Sequence, residues 1–333
     1  MKALQIPEPG RLAVVQIPPA AAPGPGEVLV KILYAGFCGT DLNTWRGRNA
    51  MAKDKVIPGH EIGARILKAG EGVPFKEGQI VTVDPYTACG HCDSCHNGRR
   101  NACEHNETLG VQRDGAMREE MVLPCEKIIP VDGISPRDCA LIEPMSVGFH
   151  AVSRAQVKES DTVMVFGCGM VGMGAVIGAA ARGAKVIAVD LDDDKLAIAR
   201  RAGAAVTVNS SRGNLHEMIG EKAPDVVIEA VGNPGTQKAA LEEVAYTGRI
   251  VLIGYAKGDS SLPTQLIVKK ELDLRGTRNA LREDFEAVID YMKKGTCPVD
   301  DFVSGVVSPE DAQKAMEEWS ADPGKVFRIL VEF

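Results

Sequence analysis

Val163-Met164-Val165-Phe166-Gly167-Cys168-Gly169-Met170-Val171-Gly172 carries an apolar run of strand length straight into three glycines at turn-forming spacing. An apolar helix is expected from Met173, and Asp190 follows 18 residues after Gly172 at the end of another apolar run. Strand, glycine turn, helix and a distal acid together are the parts of a dinucleotide site. The glycines let backbone approach a pyrophosphate, and the free amides at the helix start favour its charge. Gly167, Gly169, Met170, Val171 and Gly172 are therefore candidate cofactor contacts, with Asp190 accepting hydrogen bonds from a ribose. A 2'-phosphate there would be repelled by Asp190 and Asp192, and Leu191 offers no cation, so NAD is expected over NADP. The competing reading is that the glycines only permit close helix packing and Asp190 is a solvated strand end.

Outward from this stretch, strand and helix patterns alternate, the signature of a parallel sheet wrapped by helices. Expected strands are Val163 to Phe166, Lys185 to Val189, Ala205 to Val208, Val226 to Glu229, Ile250 to Ile253 and Leu272 to Leu274. Helical patterns such as Asp194 to Ala202 and Gln237 to Val244 fall between them, as a doubly wound sheet requires. Before about residue 145 the texture is different: short β-branched runs such as Val28 to Leu33 and Gln79 to Val83, broken by Pro and Gly. From about Thr277 that mixed texture returns. The organisation expected is α/β, with a β-rich domain from 1–146 and 277–333 and a doubly wound domain over 147–276.

With 333 residues the chain has room for about two cores, and 45% apolar with 25% charged residues is a globular balance. The net charge of -7 disfavours nucleic acid and anionic membrane surfaces as partners. Thr162 to Ala181 is 20 residues without a charge, but five glycines interrupt it, so a buried strand, turn and helix explain it better than a membrane span. Met1 to Val15 lacks the uninterrupted apolar stretch of a secretory signal, and a cytoplasmic location is expected.

Cys89, Cys92, Cys95 and Cys103 have the spacing C-x2-C-x2-C-x7-C in a short polar stretch. In a reducing compartment disulfides are a poor reading, whereas four thiolates close a tetrahedral zinc site. An iron-sulfur cluster is the rival, since the first three spacings match the bacterial ferredoxin run. There, however, the last cysteine follows after three residues and precedes Pro, while here seven intervene and Glu104 follows Cys103. A closed four-thiolate shell braces a loop and performs no chemistry. Cys125, Cys139, Cys168 and Cys297 have no metal-ligand spacing and are read as structural.

Three further segments supply separated donors: Cys38-Gly39-Thr40-Asp41, Gly59-His60-Glu61 and Glu143-Pro144. Singly each is weak, because a lone Cys is usually a small core residue and a lone His a satisfied one. Their order, with the four-cysteine loop, Asp114-Gly115 and the glycine turn, resembles that of the zinc-dependent medium-chain dehydrogenases over nearly the whole chain. Glu143-Pro144-Met145-Ser146-Val147-Gly148-Phe149-His150 resembles the sorbitol dehydrogenase segment, within the polyol, sugar-acid and threonine dehydrogenase branch. The resemblance implies a GroES-like catalytic domain, a Rossmann domain, a substrate cleft and association as a homodimer or homotetramer. It also implies two zincs per chain, a catalytic one on Cys38 and His60, with Glu61 and Glu143 competing for the third place or holding the bound water.

By the same resemblance Thr40 takes the substrate proton and Asp41 orients the histidine ligand, although both could be turn residues. Two positions after Asp41 the family commonly has a titrating histidine, whereas this chain has Asn43, so the proton relay is expected to end at the nicotinamide ribose or to use water. Gly276-Thr277-Arg278-Asn279-Ala280 resembles a stretch of sugar-acid dehydrogenases such as those acting on L-galactonate, making Arg278 and Asn279 candidate substrate contacts. A guanidinium suits a carboxylate or several hydroxyls equally, and pairing of Arg278 with a neighbouring acid or the cofactor is the other reading. The function expected is zinc-dependent transfer of hydride from a secondary hydroxyl of a sugar acid or sugar alcohol, of L-galactonate, L-gulonate or hexitol type, to NAD, giving a keto product. Threonine 3-dehydrogenase, a general alcohol dehydrogenase and a non-catalytic zinc- or nucleotide-binding protein are the alternatives.

Overall fold

The computed structural model describes residues 1–220, 222–256 and 258–333. They form two compact units, Met1–Glu143 with Val299–Phe333, and Pro144–Pro298.

The first unit is built on a sheet whose central strand, Glu27–Phe37, alternates buried Val28, Val30 and Ile32 with less buried neighbours, the period-2 pattern of a half-covered strand. This strand pairs antiparallel with Glu61–Ala69, with Glu120–Pro124 and with the C-terminal strand Ile329–Glu332. Ile80–Val83 and Ile128–Pro130 extend the sheet on one side and Gly305–Val307 on the other. Fully buried Leu4, Ile32, Phe37, Ile62, Ile66 and Met117 fill its core, each contributing about 1.5–3 kcal/mol by leaving water.

The second unit holds six strands, all parallel, in the spatial order Val206–Asn209, Lys185–Asp190, Thr162–Phe166, Val226–Glu229, Arg249–Leu252, Asp273–Gly276. All six expected strands are present within one or two residues at their ends, and the order reverses beside Thr162–Phe166, which makes the sheet doubly wound. The expected helices appear as Asp193–Arg201 and Pro234–Glu243. The helix after the glycine turn runs over Met170–Ala180, three residues earlier than the Met173 start, because Gly169 serves as its N-cap. Its glycines do not break it: a Cβ at Gly172 would lie 1.8 Å from the Gly167 carbonyl oxygen, so the helix packs onto the turn through its lack of side chains.

The chain re-enters the first unit at Val299 rather than near 277. The intervening helix Arg282–Met292 belongs to the second unit because Phe285, Val288 and Ile289 are buried there and Asp284 is tied to the helix Ile142–Arg154. Asp284 Oδ2 lies 2.7 Å from His150 Nδ1, and the Ser153 hydroxyl donates to Oδ1 at 3.3 Å. The other boundary falls after Glu143, inside that same helix Ile142–Arg154, rather than after residue 146. No helix among the described residues is long and apolar enough to cross a membrane.

Candidate functional site

Cys38 ends the central strand's run and stands at the N-cap of the short helix Gly39–Trp45, where its amide donates to Asp41 Oδ2 at 2.8 Å. Glu61 opens the neighbouring strand Glu61–Ala69, with His60 immediately before it, and the register sets Glu61 opposite Gly36. The segment leading to His60 is fixed by Asp114, whose Oδ1 accepts from the Ile57 amide at 3.1 Å, and by Gly115 and Ala116, whose amides donate to Ile57 and Gly59 carbonyls. One ligand atom each from Cys38, His60 and Glu61 lies within 4.8 Å of the others, with His60 and Glu61 buried. This is a backbone-determined convergence of sulfur, nitrogen and oxygen donors at the adjoining ends of two paired strands.

Glu61 has room because nothing projects from Gly36: a Cβ there would lie 2.2 Å from Glu61 Oε2. Arg328, which precedes the C-terminal strand, comes beside it; its Nη1 donates to the Phe37 carbonyl at 2.8 Å and its Nε lies 3.1 Å from Glu61 Oε2, a charge contact not aligned as a hydrogen bond. Burial pushes the Glu61 carboxyl up to about 7, with Arg328 opposing the rise. Burial also raises Asp41, against the pull of His60 and the Cys38 amide. Burial alone would lower His60, but Asp41, Cys38 and Glu143 outweigh it and hold the imidazole well above its usual value.

Glu143 is buried nearby and raised by burial, with His60 and Tyr86 opposing. It is not one of the three converging donors: its Oε1 accepts the Tyr86 hydroxyl. Tyr86 is set by a two-residue strand, Tyr86–Thr87, paired with Glu107–Thr108, and its carbonyl accepts from Lys127. Thr40 and Asn43 occupy the helix after Cys38, both half-buried, and the Thr40 carbonyl accepts from the Thr44 hydroxyl at 2.9 Å.

The donor set fits a metal ion. Both Glu61 oxygens are buried with no hydrogen-bond partner among the described residues, a cost of about 1–3 kcal/mol per group that a coordinated cation would relieve. The separations are within reach of zinc bonds of about 2.0–2.3 Å. Apart from it, Cys89, Cys92, Cys95 and Cys103 place four sulfurs within 4.8 Å of one another. The Cys89 and His105 amides donate to the Cys103 sulfur at 3.3 Å, and hydrogen bonding from Ser94 and from backbone lowers the Cys92 thiol to about 5. Both features suit thiolates.

In the second unit Asp190 ties the glycine turn to its own strand end. Its Oδ2 accepts from the Cys168 amide at 2.6 Å and its Oδ1 from the Leu191 and Asp192 amides at 2.7 and 3.1 Å. The fold brings Arg212 to the same region, where its guanidinium is paired with Asp193. Arg278 and Asn279 follow the edge strand Asp273–Gly276 in this unit, both half-buried, with Asn279 in the left-handed conformation at φ 52°.

Reasoning from sequence missed Tyr86, Arg328 and Gly36. Nothing in the spacing around Tyr86 or Arg328 marks them, since each arrives through strand pairing with distant chain. Gly36, two residues before Cys38, is the one a pairing argument could have found.

Residues 24–133 match the alcohol dehydrogenase GroES-like domain family and residues 171–294 the zinc-binding dehydrogenase family. The chain is 35% identical over 283 residues to L-galactonate-5-dehydrogenase of Escherichia coli K12, covering 84% of this chain and 83% of that one. It is 32% identical over 322 residues to sorbitol dehydrogenase of Bacillus subtilis 168, covering 92% and 90%. Among solved structures it is similar to the alcohol dehydrogenase RspB of Escherichia coli CFT073 in complex with NADH, with TM-score 0.91, 31% identity and coverage of 100% and 99%.

Proposed function

This chain belongs to the zinc-binding alcohol dehydrogenase family, in its polyol and sugar-acid type, and from that premise we propose that it passes hydride from a secondary hydroxyl of a sugar acid or sugar alcohol to NAD, giving a keto product. The observation that carries this reading is the convergence of Cys38, His60 and Glu61 at one buried point, distinct from the four-cysteine loop.

Cys38, His60 and Glu61 would hold a catalytic zinc, which would supply Lewis acidity toward a substrate hydroxyl oxygen. The glycine turn and Asp190 would hold NAD, which would supply the hydride acceptor. The Thr40 hydroxyl relays the proton leaving the substrate hydroxyl, accepting it while passing its own proton on to a coenzyme ribose hydroxyl or to water, since Asn43 cannot titrate. Asp41, whose charge attracts the His60 imidazole, would orient it. Glu143, held by Tyr86, serves from outside the ligand set, receiving hydrogen bonds from water or substrate. Arg278 and Asn279 grip the substrate's carboxylate or hydroxyls. The four-cysteine loop takes the second, structural zinc, and the working molecule is a homodimer or homotetramer.

A panel of aldonates, hexitols, threonine and simple primary alcohols, each with NAD and NADP, tests the proposal. Turnover of an aldonate or hexitol with NAD is the expected result. Selective turnover of threonine or of primary alcohols contradicts the substrate class, preference for NADP contradicts the role of Asp190, and no turnover with any of them contradicts the enzyme reading.

Gly36→Ala is a sharper probe of the site itself. The added methyl would collide with Glu61 Oε2, and overpacking of this kind costs about 1–3 kcal/mol. Relief of the clash moves Glu61 off the donor cluster, so we expect turnover to fall by about tenfold or more with reduced zinc at this site. Unchanged metal content and turnover would show that Glu61 plays no part.

A further inference from the structure

We infer that Glu229 is a positioning residue for the coenzyme, acting through the loop that walls the glycine turn; the inference rests on the coenzyme reading above. Glu229 ends the strand Val226–Glu229 and is fully buried. Its register partner on one side is Phe166, the residue immediately before Gly167, and the two strands flank the point where the sheet order reverses. In doubly wound sheets a ligand lies outside the carboxyl ends of the strands at that point.

One oxygen of Glu229 carries three donors. Oε1 accepts from the Val231 amide at 2.9 Å, the Gly232 amide at 2.9 Å and the Thr236 hydroxyl at 2.8 Å, whose single proton also has the Asn233 carbonyl within reach at 2.9 Å. Oε2 is buried with no hydrogen-bond partner among the described residues. A buried carboxylate used through a single oxygen is costly, and a merely stabilising role would be served by apolar packing. What the arrangement secures is the backbone of 231–232 curled over the strand end and joined to the first turn of the helix Pro234–Glu243. That curl presses Val231 onto the turn: its Cγ2 would lie 2.8 Å from a Cβ at Gly167. Val231 is nonetheless 49% exposed, so it forms an apolar wall beside the glycines on the open side. A carboxylate or carboxamide oxygen can gather these donors at one atom, and this is the part of the side chain the inference uses.

The test is NADH binding, followed by fluorescence, with steady-state kinetics. Glu229→Ala frees two amides and a hydroxyl, and is expected to raise the Kd for NADH and the KM for NAD by about tenfold or more, with kcat within about threefold. Glu229→Gln keeps a carbonyl oxygen for the same donors and is expected to bind NADH within about threefold of wild type. Leu241→Ala, a cavity variant in the core of the same unit, controls for lost stability and is expected to lower Tm without changing the Kd. Wild-type affinity in Glu229→Ala, failure of Glu229→Gln to rescue, or an equal loss of affinity in Leu241→Ala each overturns the inference. A wild-type chain that does not bind NADH overturns the coenzyme reading itself, a result distinguishable from these three.

Discussion

Cys38→Ser is expected to lower turnover by about a thousandfold or more and to leave NADH binding within about twofold of wild type. The fold should survive, because Cys38 stands at the N-cap of Gly39–Trp45 with extended backbone at φ -93° and ψ 161°, a position serine favours. The hydrogen bond its backbone amide donates to Asp41 Oδ2 is also independent of the side chain. What is lost is the thiolate, the softest and only anionic sulfur donor of the converging three, for which a serine hydroxyl is a poor substitute. Zinc content should fall by one per chain while the glycine turn, in the other unit, keeps its bonds to Asp190. Steady-state kinetics beside metal analysis checks this, and full activity in the serine variant would refute the assignment.

Cys103→Ser should have the largest effect on stability, on the order of 3 kcal/mol or more, with loss of the other zinc. The segment it belongs to has little else to hold it. Its regular structure amounts to a four-residue helical turn, Asp93–His96, and a three-residue one, Arg100–Ala102, and most of its side chains lie open to solvent. Cys103 is fully buried and its sulfur is the acceptor for the Cys89 and His105 amides, so it is the hub of the loop. A stretch with no core of its own depends on a staple, and four thiolates with one cation between them would provide it. Thermal unfolding and limited proteolysis across 88–106 would read the change. Cys125→Ser, at a cysteine packed against the core without metal-ligand spacing, should keep both zincs. Loss of zinc from that variant, or an unaltered Tm in Cys103→Ser, would contradict the reading.

Much of the second unit was legible because its determinants are local. Val226–Glu229 is found where its apolar run predicts, and the glycine turn joins strand to helix as the spacing requires. The helix start was misplaced by one turn because Met170 and Val171 read as turn when, with Gly169 as cap, they are already helical. The first unit was legible only as texture. Its central strand takes partners from three distant parts of the chain, and one of these, Ile329–Glu332, carries Arg328 to Glu61. Neither periodicity nor spacing encodes such pairings. The same limit applied to the two carboxylates left competing by the sequence: strand register sets Glu61 opposite Gly36 and beside His60, while the hydroxyl of Tyr86 takes Glu143.

The most direct test is X-ray absorption at the zinc edge of the purified wild-type chain. Two unlike centres, one bound by four sulfurs and one by a single sulfur with nitrogen and oxygen, should average about 2.5 sulfurs per zinc. An average near four, with one zinc per chain, would mean that Cys38, His60 and Glu61 hold no ion, and the proposed chemistry would have no centre.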